Sequence, residues 1–253
     1  MRIVLKFKSL YNFKYDEITN YEIQGFIYSL LDETPFKDYH NVKGFKFFNY
    51  SNIFPISDFK QDEEKKIIIS SPSNAFIKLL YHELKKLEIF RLKKYYMEIQ
   101  SVKIINNTFC TNKLITGTPI VLYEDNLNGR YYSFKSNPDF DFFFKRLTDN
   151  AIKKYEAYYG DEYLLNKESL FDSFEFNKEV SIRTSIRKKK FIMIGSLWNF
   201  DININNSNRK FYNFLFDCGL GEKNSLGMGF INNRRWIYAK RLIWYWKIMV
   251  RKR

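Results

Sequence analysis

The sequence predicts an α+β protein of two tandem ferredoxin-like domains, each with the βαββαβ order of an RRM-like fold. The first 105 residues read as strand, helix, strand, strand, helix, strand, and the order recurs in the second half. No stretch rich in Pro or Gly separates the halves, so we expect them to pack together. A chain of 253 residues with 45% hydrophobic content is large enough for two such domains.

The first half supplies six elements. Apolar and basic residues alternate over Ile3–Lys8, which predicts a strand, and Tyr21–Leu31 has the apolar spacing of a helix. Further strands are predicted at Phe45–Asn52, Lys66–Ser70 and Tyr96–Ile105. The second helix is predicted to open at Ser71-Pro72, with the serine as cap and the proline at the first position, and to end near Phe90.

The second half repeats this order more loosely. Its predicted strands are Leu114–Leu122, Tyr131–Phe134, Phe174–Arg187, Lys190–Ser196 and Met228–Asn232. Its predicted helices are Asp139–Tyr159 and Asn206–Cys218. With a boundary near Asn106–Asn112, we expect domains at 1–110 and 111–233, followed by a basic aromatic tail at 234–253.

The charge of the chain is strongly positive. The formal net charge is +14, which indicates an anionic partner. Eight Lys or Arg and no acids lie between Arg234 and Arg253, and a second basic run spans Arg183–Lys190. A lysine run alone is more often a solvated turn between strands, but two basic runs beside a glycine cluster favour nucleic acid.

Cysteine and histidine are scarce. The two cysteines, Cys110 and Cys218, lack metal-ligand spacing and are expected to be small core residues in a reducing compartment. Because the chain also has only two histidines, the sequence predicts no metal site and no other cofactor. We find no signal peptide and no membrane span, so we expect a cytoplasmic protein without a membrane partner.

The segment Gly219–Gly229, here called the glycine loop, places four of the ten glycines within eleven residues. Such a cluster indicates sharp turns or close backbone contact. Exposed amides beside a lysine suit a phosphate backbone, whereas the spacing matches no nucleotide-cofactor motif. The leading ligand is therefore a polyanion. The predicted RNA-binding residues are Gly219, Gly221, Lys223, Asn224, Ser225, Gly227, Gly229, Arg187, Lys188, Lys189 and Lys190.

Three segments resemble the CRISPR repeat-processing endoribonucleases, the Cas six family of the RAMP superfamily. They are Gln24–Tyr28, His40–Ser51 and the glycine loop. The resemblance implies tandem ferredoxin-like domains and metal-independent cleavage of precursor CRISPR RNA within its repeats, leaving 2′,3′-cyclic phosphate and 5′-hydroxyl ends. It implies CRISPR repeat RNA, precursor and mature, as partner; effector-complex subunits and a second copy of the chain are further candidates. Met228 departs from the phenylalanine that is usual between the last two glycines.

The same resemblance places the catalytic residues of the family on Tyr28, His40 and Lys46. A Tyr/His pair can share proton removal from the ribose 2′-hydroxyl and proton donation to the leaving oxygen, and a lysine can stabilise charge on the phosphate. The division of acid and base roles between Tyr28 and His40 stays open. A loop histidine is, by itself, more often a surface residue without a role, and a helix tyrosine can simply pack between domains. His82 is expected on a helix surface.

Two alternative functions remain. One is a catalytically inactive CRISPR repeat RNA-binding subunit, against which the joint presence of the three catalytic residues argues. The other is a tandem RRM-like protein that binds single-stranded RNA, but its short RNP1-type motif is not seen. The role of the tail stays open among three alternatives: a helix that covers a sheet, an RNA-binding arm and an interfacial segment.

Overall fold

The structure, a computed structural model, describes residues 1–41, 43–106, 109–125, 129–165, 169–186 and 189–234. A five-stranded antiparallel sheet forms the first half. Its strands are β1 (Arg2–Ser9), β2 (Asn49–Tyr50), β3 (Glu64–Ser70), β4 (Ile89–Leu92) and β5 (Tyr95–Ile105), in the order β2-β3-β1-β5-β4. Its helices are α1 (Asn20–Ser29) and α2 (Asn74–Lys85). If β4 is left out, the order read from the other edge is β5-β1-β3-β2. These are the fourth, first, third and second strands of a ferredoxin-like fold.

The second half has a four-stranded sheet with the same order. Its strands are β6 (Lys113–Thr116), β9 (Ser173–Ile186), β10 (Lys189–Asp201) and β11 (Ile231–Asn233), arranged β11-β6-β10-β9. A short hairpin consists of β7 (Tyr123–Asp125) and β8 (Arg130–Tyr131), and the helices are α3 (Phe140–Tyr159) and α4 (Arg209–Cys218). The predicted fold class is confirmed. The predicted boundary falls between β5 and β6, while the exact domain limits stay a prediction.

In the first half, the structure corrects three predicted elements. The strand predicted at 45–52 shrinks to β2, because Phe47 has a φ of 47° and interrupts the extended backbone. The cap of α2 is Ser73, whose hydroxyl accepts from the Phe76 amide at 3.2 Å, whereas the Ser71 hydroxyl donates to the Phe47 carbonyl at 2.6 Å. The helix also ends earlier than predicted, and the chain then forms β4 against β5.

In the second half, three predicted strands are shorter than expected, and the one predicted at 131–134 ends at Tyr131 of β8. The strand predicted at 114–122 stops at Thr116, after which Ile120 and Val121 form only isolated bridges. The strand predicted from Met228 starts at Ile231, because Met228 and Gly229 belong to the glycine loop. By contrast, β10 extends to Asp201, beyond its predicted end at 196.

Each sheet covers its own hydrophobic core, and β1 joins the two halves. Phe48 and Phe76 lie in the first core, and Trp198, with no exposed surface, lies in the second. Arg2 of β1 is buried against the second half, where its guanidinium donates to the carbonyls of Phe216 at 2.8 Å and Ile231 at 2.9 Å. The first strand is therefore fixed directly to α4 and β11 of the second half.

Candidate active site

The three predicted catalytic residues all lie between the end of α1 and β2. Tyr28 is in the last turn of α1, and His40 ends a short 3-10 helix at Lys37–His40. Lys46 follows in the extended segment before β2. The side chain of His40 lies outside the described part of the structure. The predicted placement of His40 in the connection after the first helix is confirmed at the level of the backbone.

Aromatic packing anchors the Tyr28 end of this connection. The Tyr28 ring meets the buried Phe48 edge-on at 5.8 Å between centroids. Tyr39, the neighbour of His40, lies 6.4 Å from the same Phe48 and 5.6 Å from Phe76. Tyr28 and the turn that carries His40 are therefore fixed against one part of the first core.

The segment that carries Lys46 is held by the two residues after it. Phe48 is buried in the first core, whereas Phe47 crosses to the second half, where its ring lies 5.0 Å from Tyr158 and 6.4 Å from Phe214. Lys46 is half-buried between these anchors and the turn. Loss of solvent lowers the pKa of its ammonium group, as expected for a cation next to packed aromatic rings.

The glycine loop turns sharply, and each of its four glycines has a positive φ, between 66° and 91°. All four are buried. A Cβ would overlap the side chain of Asn49 at Gly219, the ring of Tyr50 at Gly227 and the carbonyl of Leu220 at Gly229. The predicted sharp turns and close contacts are confirmed, and the partner in those contacts is the protein itself.

The prediction of exposed amides is wrong for most of this loop. Seven of its backbone N–H groups donate to protein carbonyls, including Glu222 to Val121 at 2.8 Å and Gly229 to Pro119 at 2.7 Å. The physical reason is that a buried loop must satisfy its own amides. Lys223 is the exposed residue, with half-buried Asn224 and Ser225 beside it, so contact of these three with RNA stays a prediction.

The glycine loop docks on one face of α1. Asn20 Nδ2 donates to the Leu226 carbonyl at 3.0 Å, and Gln24 Nε2 donates to the Ser225 carbonyl at 2.9 Å. One helical turn further on, Tyr28 faces the Ser225 side chain, which opposes the rise that burial causes in the pKa of its phenol. The spacing of four residues along α1 places all three side chains on the same face.

This contact brings a predicted RNA-binding residue to a predicted catalytic one. Burial raises the pKa of the Tyr28 phenol, and the hydrogen bond with Ser225 acts in the opposite direction. Tyr28 thus packs between the two halves, as one interpretation of the sequence expected, and it also presents a hydroxyl at their junction.

The remaining basic residues are only partly described. Arg187 and Lys188 lie outside the described residues, and Lys189 and Lys190 are the first residues of β10, with no description of their side chains. Of the predicted tail, Arg234 forms an ion pair with Asp201 at 3.0 Å, and residues 235–253 lie outside the described part.

A basic cavity opens next to the Lys46 segment. Its volume is about 430 Å³, and it is lined by Pro72, Tyr159, Asn206, Arg209, Lys210, Asn213, Phe214 and Asp217. The Lys210 ammonium lies 3.9 Å from the centre of the Tyr159 ring. The one acid of this lining, Asp217, already pairs with the N-terminal ammonium at 2.6 Å, which leaves Arg209 and Lys210 to set the charge of the cavity.

The described ranges also contain both cysteines and the second histidine. Cys110 and Cys218 are buried free thiols, as predicted, and burial raises the pKa of Cys110 to about 12. His82 is exposed on α2, as predicted. Within 1–41, 43–106, 109–125, 129–165, 169–186 and 189–234, no cluster of three His, Cys, Asp or Glu could hold a metal ion. In the same ranges, no helix is both long and apolar enough to cross a bilayer.

Sequence reasoning missed the residues that hold the glycine loop in place. They are Asn20, Gln24, Asn49 and Lys154. The i, i+4, i+8 spacing of Asn20, Gln24 and Tyr28 was a usable signal for a polar face on α1. Lys154 follows Leu147 and Ala151 by seven and three residues on the buried face of α3, a spacing that distinguishes it from Lys145 and Lys153.

Comparison with known proteins identifies the family. Residues 102–233 match the family model of CRISPR associated protein Cas6, C-terminal. CRISPR-associated endoribonuclease Cas6 2 of Methanocaldococcus jannaschii is 45% identical over 241 residues, which cover 92% of this chain and 99% of that protein. The chain belongs to the Cas6 family. The resemblance inferred from the three sequence segments is confirmed, and the chain is a CRISPR-associated endoribonuclease.

Solved structures of the Cas6 family and the RAMP superfamily support the fold. One, described as CRISPR associated protein Cas6, has a TM-score of 0.70 at 26% identity and covers 92% of this chain and 98% of its own. Another, described as a RAMP protein binding different RNA substrates, has a TM-score of 0.67 at 19% identity and covers 92% of this chain and 99% of its own. The fold of the two sheets is therefore the fold of the Cas6 family.

Proposed function

We propose that the protein cleaves precursor CRISPR RNA within its repeats, without a metal ion, by attack of a ribose 2′-hydroxyl on the adjacent phosphate. The observation that carries this proposal is the docking of the glycine loop on α1, where Gln24 Nε2 donates to the Ser225 carbonyl at 2.9 Å, one helical turn before Tyr28. It places a hydroxyl-bearing acid–base candidate at the junction of the two halves, at the start of the connection that carries His40 and Lys46.

The proposed reaction needs two proton transfers and charge stabilisation. The 2′-oxygen loses its proton as it bonds to phosphorus, and the 5′-oxygen gains a proton as its bond to phosphorus breaks. Tyr28 and His40 share these two transfers. Lys46 stabilises the negative charge that develops on the phosphoryl oxygens, where a desolvated ammonium acts more strongly than it would in bulk water. The products are a 2′,3′-cyclic phosphate and a 5′-hydroxyl.

The basic cavity beside Phe214 extends the proposed RNA surface. Arg209 and Lys210 lie in the first turn of α4, at the positive end of the helix dipole. An anion bound there is stabilised by the dipole and by both cations. Phe214 is one of its walls and contacts Phe47, the neighbour of Lys46. A phosphate of the repeat RNA is the ligand we propose for this cavity. The repeat RNA is the proposed partner, while effector-complex subunits, a second copy and a cytoplasmic location stay predictions.

The deciding experiment uses repeat RNA with one ribose changed. Replacing the ribose upstream of the scissile phosphate by deoxyribose should abolish cleavage and leave binding nearly unchanged, because one hydroxyl among many contacts is lost. Unmodified RNA should be cut in excess EDTA. Cleavage of the deoxy substrate at the same bond, or dependence on added Mg²⁺, would contradict the mechanism. Binding of unmodified repeat RNA without any cleavage would favour the RNA-binding subunit instead.

A further inference from the structure

A lysine of α3 lies directly beneath the glycine loop. The side chain of Lys154 is completely enclosed, with 1% of the residue exposed. Its ammonium group donates to the carbonyl of Gly219 at 2.6 Å, to the carbonyl of Gly221 at 3.0 Å and to Asn224 Oδ1 at 2.9 Å. An ammonium has three N–H donors, and all three are used within the loop.

All three acceptors of Lys154 are neutral. Among the described residues, no carboxylate forms an ion pair with it, and Glu222 acts on it only as a more distant charge. Burying a charge without a counter-ion is unfavourable, and this burial lowers the pKa of the lysine. An apolar side chain of similar volume would avoid burying the charge but would leave three buried oxygens without a donor. What Lys154 adds is three directed bonds.

Through Asn224, these bonds fix the beginning and the end of the glycine loop. While its Oδ1 accepts from Lys154, its Nδ2 donates to the Leu220 carbonyl at 3.0 Å and to the Met228 carbonyl at 2.9 Å. The next residue is Ser225, whose carbonyl accepts from Gln24 Nε2 at 2.9 Å, one helical turn before Tyr28. Hydrogen bonds and the peptide bond between Asn224 and Ser225 therefore connect α3 to the face of α1 that carries Tyr28.

We propose that Lys154 is a positioning residue for Tyr28, because it holds the glycine loop in the conformation that places Ser225 against the Tyr28 hydroxyl. This inference rests on the proposed function in one respect, namely that Tyr28 takes part in cleavage. Lys154 itself touches neither Tyr28 nor RNA. It acts through Asn224 and Ser225.

The chain contains a matched control for this role. Lys65 of β3 is also 1% exposed, and its ammonium donates to the carbonyls of Pro55 at 3.0 Å and Ser57 at 2.7 Å and to Ser57 Oγ at 2.8 Å. Lys65→Met and Lys154→Met remove the same charge and the same number of bonds. Both should lower the melting temperature, since buried oxygen acceptors lose their donors. Only Lys154→Met should affect the active site.

The first measurement is single-turnover cleavage at saturating protein, at a temperature where both variants are folded by circular dichroism. Lys154→Met should slow cleavage by up to about 10²-fold, the effect of a misplaced reacting group. Lys65→Met should cleave within about twofold of wild type, since sites that share no partners do not couple. In a Ser225→Ala background, Lys154→Met should add little further loss. Equal loss in the two lysine variants, or full additivity with Ser225→Ala, would overturn the proposal.

The second measurement does not depend on cleavage. The ring carbon that bears the Tyr28 hydroxyl, observed by ¹³C NMR at neutral pH, should shift in Lys154→Met and stay unchanged in Lys65→Met. If Lys154→Met does not fold, Asn224→Ala breaks the same chain and should give the same shift. An unchanged Tyr28 resonance in the folded variant refutes the positioning role. Wild-type protein that fails to cleave repeat RNA would instead refute the proposed function, and the NMR result would still decide on Lys154.

Discussion

The side-chain amide of Asn49 donates to the carbonyl oxygen of Met228 at 2.9 Å, and so joins β2 of the first sheet to the glycine loop of the second half. Both residues are buried, with 0% and 2% of their surface exposed. The same Met228 carbonyl also accepts from Asn224, so its two lone pairs are occupied from opposite sides of the interface. Gly219 lies so close to Asn49 that no larger residue fits there. The junction of the two halves is thus a polar contact of defined geometry.

Gly227→Ala should destabilise the protein at this junction by more than the unfavourable backbone conformation of alanine alone accounts for. Its φ of 76° is unfavourable for alanine, and the added Cβ would lie 2.8 Å from Tyr50 Cδ2. Gly160→Ala is the matched control, since Gly160 has a φ of 78° but nothing within 4 Å of an added Cβ. We expect chemical denaturation to give a loss of about 1–2 kcal/mol for the control and about 1–3 kcal/mol more for Gly227→Ala. Equal losses would mean that contact with Tyr50 is unimportant.

His40→Ala should slow cleavage of repeat RNA by about 10²–10⁴-fold, the usual range for loss of a positioned acid or base. Affinity for RNA should change little, because one side chain among many RNA contacts is lost. His82→Ala, on the exposed surface of α2, serves as the control and should cleave normally. If single-turnover rates for His40→Ala match the wild type, His40 has no part in the mechanism.

Tyr28→Phe tests whether the hydroxyl of Tyr28 or its ring matters. The ring contact with Phe48 is kept and the hydrogen bond with Ser225 is lost. We expect cleavage to fall by about 10²–10⁴-fold with binding retained. Tyr39→Phe, whose ring lies 6.4 Å from the same Phe48, should behave like wild type. Similar rates for both variants would assign Tyr28 a packing role only.

The double change Arg209→Ala, Lys210→Ala should weaken RNA binding most at low salt. Plotted against the logarithm of salt concentration, the logarithm of the association constant should become less steep by about 0.7 for each phosphate contact removed. The position of the cut should stay the same. Lys78→Ala, Lys85→Ala removes two exposed charges of α2 that do not line the cavity, and it controls for net charge. An identical salt slope in both double variants would remove the cavity from the RNA surface.

The order of strands and helices could be predicted because it follows from the local spacing of apolar and polar residues. The predicted boundaries are wrong where two elements share a pattern: β4 continues the apolar spacing of α2, so no change of spacing marks the turn at Lys86. The conformation of the glycine loop was predictable from its glycines, because positive φ and absent Cβ are local properties. Its docking was not, because Lys154 and Gly219 are 65 residues apart and only the folded chain brings them together. A glycine in the sequence can indicate a close backbone contact, but it does not indicate which part of the chain forms that contact.

The buried arginine of the first strand has a consequence for the growing chain on the ribosome. Arg2 is synthesised long before its partner carbonyls, which belong to Phe216 and Ile231, 214 and 229 positions later. Domains fold in order as they emerge, so the first sheet forms while the groups that complete its far side do not yet exist. Ser225 also belongs to this later segment. A nascent chain therefore has the Tyr28 helix early but cannot assemble the junction around it until the glycine loop has been synthesised.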